Sequence, residues 1–115
     1  MNSTMLTPAL PQLGRFTVYV RSLELAALVF ALPLGGNLRD QTRRAMRSEV
    51  LNIAEGAGQR TRPAQTRYYG ISQGSLFEVS AGIDLYRIEV KGVDVDAIIE
   101  LIREVNAMLS GLTRG

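Results

Sequence analysis

The chain has 115 residues, a formal net charge of +2, and no cysteine, histidine or tryptophan. That length suits one domain able to bury roughly two thirds of its unfolded surface, so it needs no covalent staple. Without cysteine or histidine there is no disulfide framework, no ordinary zinc site, no Ser-His or Cys-His nucleophile and no carboxylate–histidine di-iron centre. The commonest general base is gone with them, so neither a cofactor nor an enzymatic activity is expected. A chain free of cysteine reads most simply as cytoplasmic.

Residues 1–15 contain Pro8 and Pro11, which break a helix, and no basic stretch there precedes an apolar core. They read as a mobile tail rather than a signal peptide, ahead of a single domain over residues 16–115. A first helix is predicted over residues 17–32, with Thr17 as N-cap and Pro33 as the stop. One apolar stripe runs through Val18, Ser22, Leu25, Ala26, Val29 and Leu32; a second runs through Phe16, Val20, Leu23, Ala27 and Phe30. A helix apolar on two faces needs two partners. Either it is fully buried within one chain or its second stripe meets a neighbouring subunit. Each helix of a four-helix bundle keeps an outer face, which favours the subunit contact. The apolar run over residues 25–34 is shorter than the about 20 residues that span a bilayer, so no membrane partner is expected.

A turn, Pro33-Leu34-Gly35-Gly36, leads to a second helix over residues 38–58, with Asn37 as N-cap and Asp40 in the manner of a capping box. Its inward stripe is Leu38, Thr42, Ala45, Met46, Val50, Ile53 and Ala57, and Gly56 and Gly58 end it. The third helix opens at Pro63 and reaches about residue 91, with Ser72, Leu76, Val79, Ile83, Tyr86 and Val90 inward. Gly70, Gly74 and Gly82 lie inside it, each costing about 1 kcal/mol relative to alanine. They mark close approach to a neighbour or points of bending. After Gly92, Asp94 caps a fourth helix over residues 95–112, apolar along Val95, Ile98, Ile99, Ile102, Val105, Leu109 and Leu112. Nothing reads as a strand. The fold expected is all-α, an antiparallel up-down-up-down four-helix bundle assembling as a ring-like homo-oligomer.

Residues 39–67 carry a net charge of +4 and residues 68–115 a net −3. Arg39, Arg43 and Arg47 share one helix face, with Arg44 beside them, and Arg60, Arg62 and Arg67 follow. These seven are the candidate nucleic-acid contacts, since guanidinium binds phosphate. The alternative is a face that is solvated, or salt-bridged to acidic residues of a neighbouring protomer. Asn52 and Glu55, and Ser75 and Glu78, have the same three-residue spacing on consecutive helices. In an antiparallel pair they would face each other as a buried hydrogen-bond network that fixes register. A glycosidase-like acid–base pair is the sharper reading, but few aromatic residues exist to line a sugar site.

Gln41-Thr42-Arg43-Arg44-Ala45, then Ser48, then Asn52-Ile53-Ala54-Glu55-Gly56 resemble the central signature of a four-helix bundle family, the 23S ribosomal RNA intervening-sequence protein family. Ile71-Ser72-Gln73-Gly74-Ser75-Leu76-Phe77-Glu78 resembles its second signature, a Gly-Ser-x-x-Glu. The resemblance runs over about residues 16–112; Glu49 departs from it, standing where the family usually has an apolar residue, and the connection between the first two helices is short. It implies a homopentameric ring of four-helix protomers. It also implies kinship with the accessory proteins of diversity-generating retroelements, basic pentamers that bind nucleic acid and a reverse transcriptase. It carries no enzymatic activity. The expected function is a non-enzymatic homo-oligomeric scaffold whose partner is itself or another protein. The alternative is an accessory protein that binds RNA or DNA through the arginine face of its second helix. Kinship of fold alone decides neither.

Overall fold

The structure, a computed structural model, describes residues 7–114; residues 1–6 of the expected tail lie outside the described residues. Pro11 begins a helix here instead of preventing one. Its fixed φ and missing N–H suit the first helical position, and a single turn, α1 (Pro11–Gly14), follows. Helix α2 (Thr17–Phe30) takes Phe16, not Thr17, as its N-cap and stops two residues before the expected end. The chain then turns through Val29–Leu32 and Leu32–Leu34 backbone bonds, which tuck Leu34 into the core.

Helix α3 (Gly36–Ala57) starts earlier than the asparagine cap predicts. Gly36 adopts φ +54°, a conformation open to glycine, and Gly35 takes the N-cap position. Asn37 is therefore already inside the helix, and Asp40 pairs with the neighbouring Arg39 at 3.3 Å instead of closing a capping box. At the other end, the Gly58 N–H bonds the carbonyls of Ala54 and Glu55. Gly58 thus ends the helix, while Gly56 lies within it. In α4 (Arg62–Glu89) Pro63 sits in the first turn and the Thr61 hydroxyl accepts from the Ala64 N–H at 3.3 Å. It ends before Val90, which is exposed rather than inward. Helix α5 (Asp96–Thr113) has Val95 at its N-cap position; Asp94 lies one residue further out, accepting from the Asp96 N–H at 3.1 Å.

The described residues contain these five helices and no strand. Each long helix packs against two others: α2 and α4 each touch both α3 and α5. Leu25 and Val29 of α2, Met46 and Ile53 of α3, Leu76, Val79 and Ile83 of α4, and Val105 and Leu109 of α5 are all at most 1% exposed. The inward stripes thus meet in one core. Along α3 and α4 the touching residues run in opposite order, Thr42 with Gly82, Ser48 with Ser75, Glu49 with Ser72 and Gly56 with Tyr69. These two helices are antiparallel. Of the three glycines inside α4, Gly82 alone marks close approach, for a Cβ there would strike Thr42; at Gly70 and Gly74 a Cβ would meet open space.

Candidate functional site

Two polar clusters tie α3 to its neighbours. The first joins Ser48 to Ser75 by a hydroxyl–hydroxyl bond of 2.8 Å, with the Asn52 amide donating to the Ser48 carbonyl at 2.8 Å and to its hydroxyl at 3.1 Å. Of the four residues expected to form a buried network, the structure brings together only Asn52 and Ser75, through Ser48. Glu55 and Glu78 are exposed. The three-residue spacing carries each past the helix interface onto the outer surface, so the network reading is corrected for both glutamates. Asn52→Ala should lower stability by about 1 kcal/mol, while Glu55→Ala and Glu78→Ala should each shift it by less than about 0.5 kcal/mol. Urea midpoints of the three variants check this; a large loss for Glu78→Ala alone would contradict it.

The second cluster was not anticipated. Glu49 is fully buried. The Ser22 hydroxyl of α2 donates to its Oε2 at 2.9 Å, and the Ser72 hydroxyl of α4 donates to its backbone carbonyl at 2.7 Å, with Oε2 at 3.4 Å. Its Oε1 has no hydrogen-bond partner. Burial disfavours the charged form, and the two serine hydroxyls offset this only partly, so the carboxyl is raised from 4.5 to about 7. The signal was in the pattern: Glu49 falls at the inward phase between Met46 and Ile53. Ser22 and Ser72 were already placed on inward stripes. The departure at Glu49, a glutamate where the family usually has an apolar residue, pointed to the same inward position, although a glutamate is seldom fully buried.

The arginines divide by role. The Arg43 Nη2 donates at 3.2 Å to the carbonyl of Phe30, the last residue of α2, where helix carbonyls lack internal partners. Arg43 is half-buried, and its Nε is buried without a hydrogen bond. Arg47 lies over the Phe30 ring, 5.6 Å from its centroid. These two therefore clasp α2 to α3, and Arg43 is removed from the candidate phosphate contacts. Arg47 stays exposed despite its contact with Phe30, and Arg39, Arg44, Arg60, Arg62 and Arg67 are exposed too. Arg62 donates to the Arg114 carbonyl at 3.2 Å and Arg67 stacks on Tyr68 at 5.5 Å. At about 1.5 Å of rise per residue, Arg39 and Arg60 lie at opposite ends of α3, so the group is not one patch.

Of the second stripe on α2, Phe16, Val20, Leu23, Ala27 and Phe30 are all half-buried. Phe16 packs against Tyr69 with ring centroids 6.0 Å apart, and Phe30 is engaged by the two arginines. The most exposed large apolar side chains lie elsewhere. On α4, Phe77 is 64%, Leu85 50% and Ile88 67% exposed, with Ile71 at 42%; on α3, Leu51 is 62% exposed. With Gly70, Gly74 and Ala81, the α4 residues follow helical spacing along its outer side. A separate hollow, lined by Leu10, Leu13, Phe16, Ala54, Ala57 and Tyr69 with Gln12 and Arg15, opens at the α1 end. No helix among the described residues is long and apolar enough to cross a membrane.

The sequence matches the family described as 23S rRNA-intervening sequence protein over residues 15–111. No curated protein matches it.

Proposed function

The chain belongs to the 23S rRNA-intervening sequence protein family, and from that premise we propose that it is a non-enzymatic, cytoplasmic scaffold that assembles with copies of itself. In this reading α2 to α5 form an antiparallel up-down-up-down bundle, and five bundles close into a ring, the number the family resemblance implies. The observation that carries self-association is the outer face of α4. Single exposed apolar residues are ordinary, but a run of them along one helix is the mark of a surface awaiting a partner. Phe77, Leu85 and Ile88 form that run, and Gly70 and Gly74 leave room for a neighbouring backbone.

The face also favours a head-to-tail contact. Val20, Leu23 and Ala27 on α2 sit in the chain's other apolar stripe, a surface unlike the outer face of α4. A contact between two unlike surfaces of one chain is head-to-tail, and it closes as a ring where the rotation between copies allows. Light scattering of the unmodified protein tests this reading, and a monomer would end it.

A second reading, binding of RNA or DNA, is favoured by one observation. Among the described residues the ion pairs are Arg21–Glu24, Arg21–Glu104, Arg39–Asp40 and Arg87–Asp84, so no acid of residues 68–115 neutralises the arginine-rich segment within one chain. If the exposed arginines bind phosphate, affinity for any sequence should fall with salt, with a log–log slope of about −0.7 per contact for single strands and −0.9 for duplex. Arg39→Glu with Arg44→Glu should flatten that slope without reading out as a change in sequence preference. Absence of binding at low ionic strength would remove this reading.

A further inference from the structure

The polar seam around Glu49 is unequal on its two sides. Toward α4, α3 is held by the Ser72 hydroxyl on the Glu49 backbone carbonyl and by the Ser48–Ser75 bond, neither of which depends on the charge of the side chain. The Gly82–Thr42 and Gly56–Tyr69 contacts close the same interface along its length. Toward α2, the carboxyl meets a single hydroxyl, that of Ser22. An ionised carboxylate has about four acceptor sites to fill, and a buried one is costly unless they are filled. Here one oxygen has Ser22 and a long contact to Ser72, and the other has no partner. The neutral acid leaves one buried oxygen short of a partner, but the anion costs far more there, and α2 covers the site against water.

We propose that Glu49 is a proton-dependent latch: neutral, it lets α2 close over α3 and α4, and ionised, it draws water into the junction and loosens α2 from that pair. The groups facing it are Ser22 from α2 and Ser72 from α4, and no charged side chain of α2, α4 or α5 acts on it, so the response belongs to this one carboxyl. The direction follows from linkage. The folded chain holds a proton that the unfolded chain has already lost, so the stabilisation is complete below 4.5 and is lost as pH rises through about 7. The latch does not require self-association, and its failure would leave the scaffold reading intact.

Thermal midpoints of the wild type and of Glu49→Gln, followed from about pH 5 to about pH 8, test the latch. The wild-type midpoint should fall across that range and the Glu49→Gln profile should stay flat by comparison, whatever its absolute height. Hydrogen exchange, corrected for intrinsic rates, should show α2 amides of the wild type losing protection with rising pH before those of α4. Parallel pH profiles for the two proteins would overturn the proposal. So would carbon NMR of the wild type in which every glutamate carboxyl titrates in the ordinary range, a measurement that needs no variant to fold.

Discussion

Glutamate in place of both Phe77 and Ile88 is expected to leave the protein monomeric under conditions where the wild type assembles. The two side chains are 64% and 67% exposed, so little of the core rests on them and the variant should keep its helical content and melting behaviour as a monomer. In an assembled protein they would be covered. Burying each is worth about 1.5–3 kcal/mol, and replacing it with a charge adds the cost of desolvating that charge. Two such changes in every contact exceed what a standard interface of about 800 Å² per partner can absorb. Sedimentation of variant and wild type at matched concentration decides the matter. An unchanged sedimentation coefficient would move the interface away from α4. Leu23→Glu is the natural second probe, since Leu23 lies in the α2 stripe that a head-to-tail contact would use.

That the α4 face went unread in the sequence has a physical cause. The same three- and four-residue spacing that places Leu76, Val79 and Ile83 inward places Phe77, Leu85 and Ile88 outward. Every fold must have a core to which an inward set belongs, whereas an apolar outer face has no local signature beyond its residues. On α2 the opposite happened. Its second stripe looked free, yet the Phe30 ring and carbonyl engage arginines thirteen and seventeen residues later, and Phe16 meets Tyr69. Contacts across such separations are invisible to periodicity. The helix interiors were legible because each long helix repeats its apolar phase over several turns. The start of α3 was not, since Gly36 begins it through a backbone conformation that competes with the side-chain cap of Asn37. Glu49 shows the limit most clearly. Its phase was inward, its type argued outward, and only Ser22 and Ser72 on two other helices decide between them.

Gly82→Ala is expected to destabilise the fold by about 1–3 kcal/mol, against the general rule that alanine improves a helix by about 1 kcal/mol over glycine. A Cβ at this position would lie 3.1 Å from the Thr42 Cγ2 and 3.2 Å from its Cβ, and closer still to its hydroxyl. Thr42 is 2% exposed and β-branched, so its side chain has few rotamers to escape into and no solvent beside it. Relief must come from parting α3 and α4, the helix pair that also holds the Ser48–Ser75 bond. Gly74→Ala supplies the contrast on the same helix: a Cβ there meets nothing within 4 Å, so the monomer should gain the propensity term unopposed. Pairing Gly82→Ala with Thr42→Ala removes the branched atoms that a new methyl would strike. The double variant should be more stable than the sum of the two single losses, a favourable coupling of about 1 kcal/mol or more for residues in direct contact. Denaturant midpoints of the three variants measure it. Simple additivity, or a Gly82→Ala protein as stable as the wild type, would mean that α3 and α4 have slack at this crossing and that Gly82 is not what sets their separation.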